Sequence, residues 1–147
     1  MNSYHNKIAI VGTSINLTEN EERDIRQFIA MVLKRYDSDT IIISGGAKGV
    51  DSIGLEVAKG LGFKTQVYKP EKEEWKYYKK RNLQIANDCD ELHCFSVPVH
   101  KTKCYHHDEP QEHEKTAGCW TACKVFEMDK PCQLVVVPNR NISEVVK

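Results

Sequence analysis

A chain of 147 residues with about 40% apolar side chains is long enough for one domain with a real core and too short for two comfortable ones. Lysine plus arginine number 21 and aspartate plus glutamate 21, so no global positive field draws in a phosphate backbone, which argues against nucleic acid as a partner. No apolar stretch approaches the roughly 18 residues of a membrane span, and the polar start MNSYHNK lacks the apolar centre of a secretory signal. No membrane association is expected, and the expected location is the cytoplasm.

In chain order, KIAIVGTS (7–14) reads as a short apolar strand running into Gly12, Thr13 and Ser14. NEERDIRQFIAMVLKRY (20–36) places Ile25, Phe28, Ile29, Val32 and Leu33 on one helical face, with Asn20 or Thr18 as its cap. DTIIISGG (39–46) is a continuous apolar strand of the kind buried on both faces in parallel sheets. The helix at 50–61 turns Ile53, Val57 and Leu61 inward and stops at Gly62. KTQVYKP (64–70) is a third strand, EEWKYYKKRNLQIANDC (73–89) a third helix and DELHCFSV (90–97) a fourth strand. A polar insertion at about 98–116 precedes a helix over 118–129 and a fifth strand, PCQLVVVP (131–138).

Strands alternating with helices at this spacing predict an α/β fold. It is a Rossmann-like, doubly wound parallel sheet of about five strands in one domain over 1–140, with a tail at 141–147. In such sheets ligands sit beyond the carboxyl ends of the strands, where the winding reverses. Gly45 and Gly46 leave no Cβ between chain and ligand, and Gly49 lets the next helix start close to the strand. Together with Ala47, Lys48 and the first-turn amides they form a cradle for an anion such as phosphate. Asp51 would cap that helix or hold a sugar hydroxyl. A tight turn without a ligand is the alternative. Gly12, Thr13 and Ser14 offer a second strand end lined by amides and hydroxyls, and TAGCWTA (116–122) a third helix entry.

The stretch SGGAKGVDSIGLEVAKGLG (44–62) resembles the glycine motif of the SLOG superfamily of Rossmann-like proteins. That superfamily includes DprA, the LOG phosphoribohydrolases and the YspA-type proteins. VGTS, WKYYKKRN (75–82) and AGCWTACKVFEMDKPCQLVVV (117–137) resemble the YspA-like branch, so the likeness spans nearly the whole chain apart from 98–115. It implies a pocket for a nucleotide or nucleotide-derived ligand. Gly45, Gly46 and Gly49 would contact phosphate or ribose, Arg81 would reach a phosphate beside Asn82, and Gly118, Cys119, Trp120 and Thr121 would form a second cradle. One departure bears on activity. Aligning Thr121 with the threonine of the LOG enzymes puts Lys124 where their catalytic glutamate stands, and a lysine supplies no carboxylate. Arg81, Asp51 and Glu127, one turn beyond, are the remaining catalytic candidates.

The six cysteines lie between Cys89 and Cys132 in a chain without an export signal, which points to thiols or metal ligands rather than disulfides. Cys104 and His107 stand in a C-x-x-H relation, and His113 and Cys119 would complete a tetrahedral set for a structural zinc, with His106 and Cys123 as alternative ligands. The other reading of this insertion is a lid with incidental histidines. Cys89, Cys94 and Cys132 suit the core. Trp75, Tyr77 and Tyr78 could stack on a base, but aromatics at helical spacing more often pack inward.

Three functions compete. The first is a module that senses or sequesters a nucleotide-like small molecule, with no organic cofactor. The second is a LOG-like hydrolase cleaving an N-glycosidic bond, and the third a DprA-like DNA-binding protein. Lys124 weighs against the hydrolase and the neutral charge against DNA, so the binding module is the expectation. SLOG-like proteins often self-associate, which makes a homo-oligomer compatible with this reading.

Overall fold

The structure is a computed structural model. It describes residues 6–12, 17–96, 101–103, 110–112 and 117–136, and for 101–103, 110–112, 117–119 and 136 the backbone alone. The strands β1 (Lys7–Gly12), β2 (Ile41–Ser44), β3 (Lys64–Val67) and β4 (Glu91–Ser96) alternate with the helices α1 (Glu19–Leu33), α2 (Val50–Gly60) and α3 (Trp75–Asp88). After β4 come two short strands, β5 (Lys101–Lys103) and β6 (Pro110–Glu112), then α4 (Ala117–Glu127) and β7 (Cys132–Val136). Five strands form one sheet in the order β3-β2-β1-β4-β7, every pair of them parallel. The winding reverses between β1 and β4, and all five carboxyl ends lie on one edge.

The expected fold class is the one observed, and the alternation along β1 shows why. Ile8 and Ile10 pack with Ile25, Ile29 and Leu33 of α1 and Ile53 and Ala58 of α2, while Ala9 and Val11 pack with Ile85 and Ala86 of α3 and Ala122 and Val125 of α4. Successive residues of a strand face opposite sides, so a strand with helices on both faces must be apolar at every position. The α1 start is a capping box: Thr18 Oγ1 accepts from the Glu21 amide at 3.1 Å and Glu21 Oε1 accepts from the Thr18 amide at 2.9 Å. Thr18 is therefore the cap, and Asn20 lies within the helix.

Some expectations change. The insertion holds an antiparallel ribbon, β5 on β6, where the polar pattern suggested only loop. Leu61 is 40% exposed because α2 ends at Gly60. Gly62, at φ +92°, turns the chain so that the Phe63 amide reaches the Ala58 carbonyl at 3.0 Å and that of Gly62 reaches Lys59 at 3.1 Å. Phe63, buried, fills the place meant for Leu61. Cys89 and Cys94 are buried and Cys132 half-buried, and burial pushes the Cys89 thiol up to about 11, as suits an inert core residue.

Helix α2 lies so close to β1 that a Cβ on Gly54 would stand 2.6 Å from Ile10 Cγ2 and 3.1 Å from its Cβ. Ile10 is fully buried and stiff at χ1, so it cannot swing aside. Replacing Gly54 by alanine gains up to about 1 kcal/mol of helix propensity but overpacks the core at a cost of about 1–3 kcal/mol. We expect Gly54→Ala to be net destabilising in urea titrations; a stabilised variant would refute this helix–strand spacing.

Candidate functional site

The loop from β2 into α2 contains two conformations that side-chain-bearing residues rarely adopt, Gly46 at φ +72° and Gly49 at φ +92°, ψ −132°. Gly49 is the N-cap of α2 and supplies no side chain to satisfy the first-turn amides. Beside it lies a cleft of about 410 Å³ whose wall includes Leu17, Lys48, Gly49 and Ser52. Glu22 and Glu56 stand on the same wall, and Arg26 bridges both carboxylates, at 3.0 and 2.8 Å, which offsets their repulsion of an anion.

Gly45 is held differently. Arg81 reaches across from α3 and donates from Nη1 to the Gly45 carbonyl at 2.9 Å and the Tyr68 carbonyl at 3.1 Å, while its Nε donates to Asn82 Oδ1 at 2.7 Å. A Cβ on Gly45 would fall 2.6 Å from the Arg81 Cζ and 2.9 Å from Asp51 Oδ2, so glycine here makes room for a buried guanidinium and carboxylate. Arg81 is 6% exposed and Asp51 7%. Arg81 thus ties the tips of β2 and β3 to α3. Its partners are protein carbonyls, whereas the resemblance implied a phosphate.

Asp51 lies beside Ser44, whose hydroxyl donates to the Ile10 carbonyl at 2.7 Å. Burial pushes the Asp51 carboxyl up to about 6, although Arg81, the amides of Ala47 and Gly45, and Ser44 all favour its charged form. Asn82 is 4% exposed, and its Nδ2 has no hydrogen-bond partner among the described residues. A buried donor left unmade costs about 1–3 kcal/mol, so this atom calls for an acceptor that the described side chains do not supply.

The remaining sequence candidates divide. Gly12 ends β1 so close to β4 that a Cβ would run into the Phe95 carbonyl, which gives that glycine a packing reason of its own. Thr13 and Ser14 lie outside the described residues. Gly118 and Cys119 open α4, and Trp120 and Thr121 are buried as α4 begins to pack on α3. Lys124 pairs with Glu127 Oε2 at 3.4 Å, and the Cys123 thiol donates to the same oxygen at 3.4 Å. Of the zinc candidates, Cys104, His106, His107 and His113 lie outside the described residues, as does the Cys119 side chain. Among the described residues no three His, Cys, Asp or Glu side chains group to hold a metal, and no helix is long and apolar enough to cross a membrane.

Sequence reasoning missed two participants. Ser44 opens the glycine stretch but was given no role, and the Tyr68 carbonyl carries no motif; only the register of β2 against β3 brings the two to the loop. It also missed a cluster around the buried His93 at the opposite, amino edge of the sheet. There His93 meets Tyr36 Oη at 2.9 Å, Glu91 Oε2 at 2.8 Å and Gln133 Oε1 at 2.9 Å beside a cavity of about 380 Å³. The strand pattern gave no sign that this histidine would be buried and fully partnered.

No family model and no curated protein matches the chain. Solved structures do. The X-ray structure of TM1055 is 15% identical over 86% of this chain and 72% of that one, with a TM-score of 0.60. The X-ray structure of DNA processing protein A (DprA) from Streptococcus pneumoniae is 14% identical over 94% of this chain, which spans 61% of DprA, with a TM-score of 0.53. The class is therefore a single-domain Rossmann-like α/β protein, and its fold is the one shared with TM1055 and DprA, as the resemblance to the SLOG superfamily implied.

The raised Asp51 value fixes a pH dependence. Between the ordinary carboxylate value of 3.8 and about 6 the folded chain holds a proton that the unfolded chain has released, so this group's contribution to stability falls as pH rises through that window and levels off above it. The loss amounts to about 3 kcal/mol at most. Denaturant titrations at pH 4.5 and 7 should show Asp51→Asn gaining stability relative to the parent as pH rises. Parallel profiles would contradict a buried carboxyl.

Proposed function

We propose that this chain binds a nucleotide or a nucleotide-derived ligand, a phosphorylated nucleoside or an ADP-ribose-like molecule, at the carboxyl ends of its strands and acts as a sensor or sequestering module. The observation that carries the reading is the start of α2. Two positive-φ glycines deliver an 11-residue helix whose N-cap has no side-chain bond, next to Lys48 and a cleft of about 410 Å³. A helix start of this kind favours an anion through its amides and dipole, and the volume lies in the range of small-molecule sites.

Two features favour binding over hydrolysis. Lys124 stands where a catalytic carboxylate is needed, and Glu127, about half exposed, already accepts from Lys124 and Cys123.

Calorimetric titration with AMP and with ADP-ribose, paired with chromatography of the mixture for free base, tests the reading. Binding without base release is expected, and Gly49→Ala, forced out of its positive φ, should weaken it by tenfold or more. Release of adenine, or no heat with either ligand, would overturn it.

A further inference from the structure

Helix α1 turns Ile25, Ile29 and Leu33 into the core and carries a second row beside them. Asp24, Phe28 and Met31 follow at i, i+4 and i+7, the alternating spacing of a coiled-coil seam, and Arg35, in the turn that ends the helix, continues it. This flank borders a trough of about 310 Å³, walled by Phe28, Met31, Val32 and Arg35 on one side and by Gln133 and Val135 of β7 on the other. β7 is the last strand of its sheet, and α2 lies on the far side of α1, over β1, β2 and β3. Among the described residues no second helix covers the trough. Met31 is 65% exposed there. One exposed apolar side chain needs no explanation, but an apolar row that shares a trough with an edge strand marks an interaction surface.

The row is complementary to itself. Two α1 helices packed antiparallel about a two-fold axis, set midway between Phe28 and Met31, place Phe28 of each copy against Met31 of the other and Asp24 of each against Arg35 of the other. The acidic end meets the basic end twice, and the apolar middle meets itself. Parallel packing would instead set like charges together. Asp24 is paired within the chain only with its neighbour Arg23, at 3.8 Å and largely in solvent, a contact of little worth that leaves the carboxylate able to take a stronger partner. Glu22 and Arg26, which flank the cleft at the start of α2, project from the opposite side of the helix, so this surface and that cleft are separate.

We infer that the occupant of this trough is a second copy of the chain, joined through a two-fold interface in which Met31 of each copy enters the trough of the other. Charge complementarity selects the partner. A row running from acid through two apolar residues to base fits its own reverse, whereas an unrelated protein gives no reason for that symmetry. One helix flank and part of one strand make a small interface, so the dimer forms and dissociates with concentration.

Sedimentation velocity of the full chain over a dilution series tests the inference. A monomer–dimer equilibrium in the micromolar range is expected. Met31→Lys, which sets a charge at the centre of the interface, should abolish the dimer; its side chain is exposed in the single chain, so the monomer should keep its fold by circular dichroism. Asp24→Arg and Arg35→Asp should each weaken association about tenfold, because each turns two attractive contacts into repulsive ones. The double variant, and an equimolar mixture of the two single variants, should both regain the parental affinity. A parent that stays monomeric at every concentration overturns the inference and means that another part of the chain or a different protein covers the trough. A dimer that Met31→Lys and the charge exchanges leave unchanged overturns it as well, since the association then lies elsewhere.

Discussion

The edge of the sheet that faces the cleft depends on one buried cation. Arg81 donates to the backbone carbonyls at the ends of β2 and β3 and to the neighbouring Asn82, with Asp51 on the same side of Gly45. Removing either partner of a buried charge pair leaves the other uncompensated, at a cost of about 3–5 kcal/mol. The arrangement explains the glycine at 45 without reference to a ligand, because a side chain there would occupy the space of the guanidinium. It also divides the glycine run by task. Gly45 accommodates Arg81, while Gly46 and Gly49 supply the backbone angles that start α2 without a side-chain cap.

The two edges of the sheet answer different physical demands. At the amino edge His93 has an oxygen partner for each ring nitrogen, as a buried polar group in a stable core requires. At the carboxyl edge Asn82, equally buried, has an amide nitrogen with no partner among the described residues, and α2 begins without a cap from its N-cap residue. A cavity exists at both edges. The one worth reading as functional is the one beside the start of α2, whose first-turn amides have no side-chain cap.

The layers of the fold were legible because their physics is local and periodic. Apolar runs such as IIIS and the 3.6-residue rhythm of Ile25, Ile29 and Leu33 state which faces meet, and parallel pairing follows from the alternation of strand and helix. Leu61 was misplaced because periodicity does not announce where a helix stops; the Schellman bonds around Gly62 decide that. The β5–β6 ribbon was missed because strands of three residues, KTK and PQE, carry no apolar alternation. In the site, the glycines were readable from their spacing, whereas the destination of Arg81 was not. A charged residue on a helix reads as solvated unless one knows which carbonyls the tertiary fold brings within reach, and those of Gly45 and Tyr68 are 36 and 13 residues away.

Electrostatics at this edge must be local. With zero formal net charge, long-range attraction for an anion is absent, so the affinity proposed for this cleft would have to come from the α2 amides and Lys48 acting at short range. A fixed carboxylate at the base of the same loop would oppose that. Burial and the Arg81 guanidinium act on that carboxyl in opposite directions and burial prevails, raising its proton affinity to about 6, so below that pH the base of the loop carries less negative charge than an exposed aspartate would give it.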